Sequence, residues 1–159
     1  MYDRRMRIVE DDLTGAEIQA LLERHAEGMA ANSPLGACHY LDLTGLSMPE
    51  VTVWSIWDED SLAGCGALRE IDATHGEIKS MRTADAHLGK GVGRKMLDHI
   101  MAVAQERWYK RLSLETGSND SFAAALHLYE SSGFNRCGPF DTYEATDFSV
   151  FMTKELSGQ

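Results

Sequence analysis

Long apolar runs are missing from this chain of 159 residues. No stretch approaches the ~18 apolar residues of a membrane-spanning helix, so a helical membrane role is excluded. Proline is scarce, and so is cysteine: Cys38, Cys65 and Cys137 are an odd number and far apart. No Cys-x-x-Cys or His-x-x-x-His spacing occurs, so neither a disulfide framework nor a zinc or other metal site is supported. Reduced thiols are expected. Positive charge is in deficit as well, with 15 Lys and Arg against 25 Asp and Glu and a net charge of −10. Such a surface repels phosphate backbones and anionic lipid, so no nucleic-acid or membrane partner is expected. An anionic ligand would have to be held by local geometry, whereas a cationic one would be favoured on approach. Internal repeats and low-complexity tracts are absent. The basic segment Met1 to Arg7 is not followed by an apolar stretch with a small-residue cleavage site. It does not read as a signal peptide, and a cytoplasmic location is expected.

What is present suits one domain over residues 1–159, with its core at about 7–156. Arg7–Glu10 reads as a strand, and Ile18, Leu21, Leu22, His25 and Met29 recur at helical spacing after the entry Asp11–Thr14. Residues 31–49 are irregular, with a short helix expected around His39–Leu43. Val51–Trp57 and Ser61–Leu68 read as a hairpin around Asp58-Glu59-Asp60. A third strand is expected from Glu77 to Thr83 after the turn Asp72–Gly76. A glycine loop, His87-Leu88-Gly89-Lys90-Gly91-Val92-Gly93-Arg94, then leads into a helix with Met96, Leu97, Ile100, Met101 and Ala104 inward. Arg111–Thr116 is another strand. The next helix should be capped by one of Ser118, Asn119, Asp120 or Ser121, bury Phe122, Ala125, Leu126 and Tyr129, and end at Gly133. Strands near Phe134–Cys137 and Ser149–Thr153 close the chain. The order β-α-(α)-β-β-β-α-β-α-β-β predicts an α/β domain with a mixed, mostly antiparallel sheet.

Glycines at alternate positions between a strand and a helix let several backbone N–H groups point one way, and a helix N-terminus adds its dipole. Such a loop binds phosphate oxygens, or is simply a glycine-rich turn. A P-loop fails on spacing, because no Gly-x4-Gly-Lys-Ser/Thr string exists. The dinucleotide fingerprint fails because Arg94 stands where its last glycine belongs.

These residues resemble the GNAT superfamily of N-acetyltransferases. Leu88-Gly89-Lys90-Gly91-Val92-Gly93 is similar to the family's Gln/Arg-x-x-Gly-x-Gly/Ala, and Leu128-Tyr129-Glu130-Ser131-Ser132-Gly133-Phe134 matches its Leu-Tyr-Glu-x-x-Gly-Phe. The resemblance implies a single-domain GNAT fold in which the strand Glu77–Thr83 splays from Arg111–Thr116, with flanking helices. It implies acetyl-CoA as co-substrate, with the pantetheine arm along Met81, Arg82 and Thr83. The pyrophosphate would sit on amides from Gly89 through Lys90, Gly91, Val92 and Gly93 to Arg94. Leu88 replaces the polar first motif residue, so a side-chain contact is lost there. Phe122 replaces an asparagine common in the family, which Asn119 could stand in for. Trp108 takes a helix exit where the family places glycine, and is expected to pack locally.

Acetyl transfer to an amine requires a proton removed from the ammonium, a polarised thioester carbonyl and a protonated leaving thiolate. Tyr129 is the candidate general acid, since a phenol with a pKa of about 10 is matched to a departing thiolate; the alternative is a core tyrosine. Glu77 is the candidate base, at a register where the family carries a catalytic glutamate; the alternative is a solvated strand end. Glu115 and His39 are weaker candidates at the acceptor. Cys38-His39 does not suit a covalent mechanism, because chain neighbours rarely face each other correctly. His25, His99 and His127 read as interface or surface residues. The acceptor implied is a primary amine of a small molecule or peptide, near an acidic and aromatic rim of Asp42, Glu50, Asp141, Tyr143, Glu144 and Asp147. A homodimer is one assembly state the resemblance implies. A non-catalytic acyl-CoA sensor, or an acyltransferase with another acyl chain or acceptor, are the competing readings.

Overall fold

A computed structural model describes residues 6–32 and 43–156. Seven strands form one sheet in the order β1-β2-β3-β4-β5-β7-β6, with β1 Met6–Glu10, β2 Val51–Asp58, β3 Ser61–Asp72, β4 His75–Thr83, β5 Arg111–Gly117, β6 Asn135–Cys137 and β7 Ser149–Glu155. Every neighbouring pair is antiparallel except β4 and β5, which run parallel. Their connection carries the helix α3, Val92–Glu106, as a parallel pair requires. The remaining helices are α1 Ala16–Asn32, α2 Leu43–Leu46 and α4 Ala123–Ser131.

The sheet divides the core into two layers. On one face α3 lays down Met96, Leu97, Ile100 and Ala104 against Ile56, Leu68, Ile78, Leu112, Leu114 and Met152, with Tyr129 of α4 beside them. On the other, Leu13, Ile18, Leu21, Leu22 and Leu46 cover Val53, Cys65 and Ala67. Side chains alternate along each strand, so odd positions 67, 69, 77 and 79 share the α1 face, while 68 and 78 share the α3 face.

The ladder register shifts at Ile56/Trp57, at Cys65/Ala67 and at Glu70/Asp72, and the second of these shapes the site. Cys65 pairs with Arg82 and Ala67 with Lys79, so Gly66 alone opposes Ser80 and Met81. This is a β-bulge, and Ser80 takes the extra residue in a left-handed conformation, φ +56°. A Cβ on Gly66 would stand 2.8 Å from Met81 Sδ and 2.8 Å from Met96 Cγ. Glycine is therefore what lets the bulge lie against α3.

Two local expectations need correction. A short helix runs over Leu43–Leu46, while the expected helix around His39–Leu43 falls, but for Leu43, with Cys38 and Asp42 outside the described residues. The N-cap of α4 is Phe122, with no side-chain cap hydrogen bond, because a 3-10 turn over Asp120–Phe122 leads into the helix. Trp108 does not pack: it is 67% exposed, and its φ of +66° at the exit of α3 swings the indole into solvent. That is the left-handed position where glycine is ordinarily found. Gly133 ends α4 in the left-handed region as expected, φ +96°.

Three histidines are held below the ordinary imidazole range: His25, to about 4, and His75 and His99, burial being the first cause in each. Between the unfolded value of about 6.5 and these lowered values, the folded chain binds fewer protons than the unfolded one. Stability is therefore full above pH 6.5 and falls as the pH drops towards 4. Urea midpoints measured from pH 7.5 to 4 should decline over that window. His25→Gln should remove a share of at most about 3 kcal/mol. Gly66→Ala should lower stability by ~1–3 kcal/mol through overpacking at the bulge, read as a lower thermal midpoint.

Candidate active site

β4 and β5 pair over three rungs only, His75 with Arg111, Gly76 with Leu112 and Glu77 with Ser113. Beyond Glu77 they part. β4 stays with β3, and β5 pairs with β7 along its whole length, Arg111 to Gly117. A cavity of about 450 Å³ lies in the gap, lined by β4 from Glu77 to Thr83, by Glu115 and Thr116 of β5, and by residues of α1, α3 and α4. The splay expected between these strands is present.

At one end of the cavity is the glycine loop. Gly89 and Gly91 have φ of +79° and +80°, and a Cβ at either would meet nothing within 4 Å. Their backbone thus borders open space, the cradle that a side chain would fill. Gly91 is the N-cap of α3, and the first loop-to-helix bond is Lys95 N–H to the Gly91 carbonyl. The amides ahead of Lys95 have no carbonyl one turn back to bind. Gly93 lets α3 approach α4, since its Cβ would lie 3.3 Å from Leu128 Cδ2. Arg94 joins the two motifs, donating to the hydroxyls of Ser131 at 2.5 Å and Ser132 at 2.6 Å. Lys90 Nζ lies 3.4 Å from His87 Nδ1 and 4.0 Å from Asp58 Oδ2.

The α1 face of the parting strands is charged. Arg69 and Glu77 are cross-strand partners, and Lys79 follows two residues along β4. Glu77 is sealed from water at 1% exposure. Its Oε1 accepts from Arg69 Nε at 2.8 Å, and its Oε2 from Lys79 Nζ at 3.2 Å and the Tyr143 hydroxyl at 2.8 Å. Arg69 reaches on to Asp141 at 2.7 Å. Burial foremost, then Glu77, pushes the Tyr143 phenol up, so it stays a donor. Tyr143 also stacks on Phe151 and meets Phe140 edge-on, which moors the β6–β7 loop across the face. Glu115, the next acid along the cavity, accepts from Ser149 Oγ at 2.8 Å.

Of the residues singled out in the sequence, Glu77, Met81, Arg82, Thr83, Leu88, Val92, Gly93 and Tyr129 line the one cavity. Gly89, Lys90, Gly91 and Arg94 belong to the same loop outside that lining. Asn119 is exposed and not in the lining; its carbonyl accepts from Phe122 N–H. Tyr129 is buried, its ring edge-on to Phe134, and burial raises its phenol well above the usual range. Glu77 is neither a solvated strand end nor an isolated carboxylate. Asp141 and Tyr143, read as rim, are tied into its network. Arg69, Lys79, Ser80 and His25 were not among the site residues read from sequence. The Arg69–Glu77 pair had a signal in the hairpin register; His25 had none, because the charge beside it is Arg82 on β4.

The chain matches the model of the Acetyltransferase (GNAT) family over residues 17–134. It is 53% identical to the uncharacterized N-acetyltransferase YsnE of Bacillus subtilis, across 95% of this chain and 100% of that protein. It is 46% identical to the uncharacterized N-acetyltransferase YedL of Escherichia coli, across 94% of each. Among solved structures, a putative acyl-CoA N-acyltransferase from Klebsiella pneumoniae superposes with a TM-score of 0.80 at 28% identity, covering 96% of this chain and 98% of that one. With the parted strands, the glycine-capped helix and the tyrosine of α4 converging on one cavity, the chain belongs to the GNAT family of acetyltransferases and is an N-acetyltransferase.

Proposed function

We propose that the chain moves an acetyl group from acetyl-CoA to a primary amine of a small molecule or peptide in the cytoplasm, by direct transfer in a ternary complex. The observation that carries this reading is the continuity of one cavity from the glycine loop, between β4 and β5, to the charged α1 face. A bound acetyl-CoA would supply the activated thioester. The residues present fit it: loop amides from Gly89 to Arg94 suit its pyrophosphate, and the edge of β4 from Met81 to Thr83, unpaired with β5, suits the amides of its arm. Leu88, 64% exposed, adds apolar contact rather than a polar one.

In this reading Tyr129 donates the proton that the leaving thiolate takes up. Burial keeps its hydroxyl protonated throughout the working pH range, and it lines the cavity between the strands. Backbone N–H groups at the bulge of Ser80 and Met81 are the candidates for polarising a carbonyl, since that strand edge turns out of the ladder there. Glu77 has its oxygens engaged, so its part is to hold Arg69, Lys79 and Tyr143 as one wall of the acceptor chamber. The glycine loop and the charged α1 face then serve different chemistry, and no side-chain nucleophile is needed.

Tyr129→Phe should lower kcat by about 10²-fold, with acetyl-CoA affinity within about threefold of wild type by calorimetry. Unchanged turnover would remove the acid role. Gly91→Asp places a carboxylate in the cradle at a positive φ. It should weaken acetyl-CoA binding about a hundredfold or more while the far-ultraviolet dichroism stays native. Retained affinity would count against the loop.

A further inference from the structure

Among the charged groups that line the cavity, Lys79 donates to Glu77, Glu115 accepts from Ser149 and Asp85 accepts from Arg24. Arg82 on β4 is the exception: its guanidinium makes no hydrogen bond among the described residues. Its ion pair is a loose one, Nη2 to Asp85 Oδ1 at 3.8 Å, while Arg24 Nη2 holds the other oxygen of Asp85 at 2.5 Å. Two arginines thus share one carboxylate, and the trio keeps one net positive charge. The Arg82 side chain is 28% exposed and its nitrogens are open to water, so a ligand can reach them.

The residues on either side of Arg82 face α3. Met81 Sδ stands 2.8 Å from where a Cβ on Gly66 would be, and Thr83 Oγ1 3.9 Å from one on Gly93. Arg82 faces α1, in register with Cys65 of the α1 layer. There Gly28 makes room for it, since a Cβ at that position would stand 3.3 Å from Arg82 Nη1. Glycine is the least favoured residue inside a helix short of proline, and Gly28 lies one turn after Arg24 on the same face of α1. The glycine loop opens α3, so the phosphate oxygens it suits belong on that side of β4. An anion that reaches Arg82 from the α1 face arrives with the acceptor.

We propose that Arg82 determines acceptor specificity: it takes a carboxylate carried by the acceptor, which is therefore an amine that is also an acid, an amino acid in the broad sense. The inference rests on the acetyl-transfer reading above and narrows its amine. A guanidinium presents paired N–H donors that match the two oxygens of a carboxylate. Ser80 and Met81, whose amides are the candidates for polarising the carbonyl, precede Arg82 by two residues and by one, within about 7 Å of strand. The amine and the carboxylate of one small molecule span that interval. The charge balance agrees, because a zwitterion is neutral overall, and a surface of net charge −10 does not repel it as it would a plain anion.

A carboxamide keeps the shape of the carboxylate and removes its charge, so the pair isolates what Arg82 recognises. Losing the charged partner of such a hydrogen bond costs about ten- to a hundredfold in kcat/KM. Amidation of an α-amino acid also makes its amine a weaker base, which leaves more of it neutral and favours the amide as a nucleophile. A preference for the acid therefore reports recognition and not basicity.

The test uses the full chain with acetyl-CoA, thiol release as the rate, and α-amino acids, β-alanine and 6-aminohexanoate, each beside its carboxamide, within a wider amine panel. Wild type should favour its best acid over the matching carboxamide by at least about tenfold in kcat/KM. Arg82→Met should erase that preference, mainly by raising the acceptor KM, and Arg82→Lys, which keeps the charge, should restore part of it. Acetyl-CoA affinity should stay within about threefold of wild type in both by calorimetry, because only the backbone of Arg82 borders the arm. Gly28→Ala, a better helix former, should raise the acceptor KM while the thermal midpoint holds or rises. Wild type turning over an amine without a carboxylate as well as its best acid would overturn the assignment. So would an acid preference that survives in Arg82→Met. Acetyl-CoA affinity about tenfold or more weaker in that variant would overturn it too, by placing the guanidinium on the cofactor. Acetyl-CoA binding by wild type without turnover of any amine would instead overturn the acetyl-transfer reading itself, and this inference with it.

Discussion

Glu77 stands on the last rung that β4 shares with β5, and its carboxylate is closed off from water. A buried charge stripped of its partners costs several kcal/mol, so the groups around it are constrained as a set. Arg69 must come across from β3, Lys79 must follow on β4, and Tyr143 must arrive from a loop sixty-six residues away in sequence. Through Tyr143, Phe140 and Phe151, that requirement fixes the β6–β7 loop over the open end of the sheet. The carboxylate therefore shapes the chamber whether or not it ever handles a proton.

The two ends of the cavity use different physical means. The glycine loop relies on backbone: positive φ at Gly89 and Gly91 and the unspent amides of a helix start, in a chain of net charge −10. As the proposed cofactor cradle, such a loop would not depend on the identity of Leu88, the position where the family motif carries glutamine or arginine. The α1 face relies on side chains, and their burial converts sequence charge into fixed geometry. Removing a glycine disturbs the first end, and removing a partner disturbs the second.

The order of elements was legible in the sequence because strand alternation and helical spacing are local signals, and among the described residues the seven strands and the helices α1, α3 and α4 fall in the expected order. The glycine loop and Tyr129 were legible as motifs for the same reason. Trp108 was misjudged because a left-handed helix exit depends on φ, not on the apolarity of the residue. The cap of α4 was misjudged because a 3-10 turn took up the polar residues Asn119 and Asp120 ahead of it. His25 looked like an ordinary helix residue, since its setting is made by Arg82 and the bulge, both more than fifty positions away. Glu77 was placed correctly on its strand, but its partners were invisible until the hairpin register and the β6–β7 loop were known.

The gap between β4 and β5 is a consequence of divided loyalties within the sheet. β4 is held by β3 up to Thr83, and β5 is held by β7 up to Gly117. Strands in a twisted sheet rotate relative to one another, and a parallel pair is bonded a little less firmly per residue than its antiparallel neighbours. When the bulge at Ser80 adds twist to β4, the parallel rungs are the ones that give way, just beyond Glu77. Closing the gap would mean breaking an antiparallel ladder on one side or the other, so the cleft is present before any ligand arrives. A ligand bearing amides can then restore to β4 the hydrogen bonds that β5 withholds. Gly66, by leaving room for the bulge against Met81 and Met96, is thus tied to the opening of the cleft.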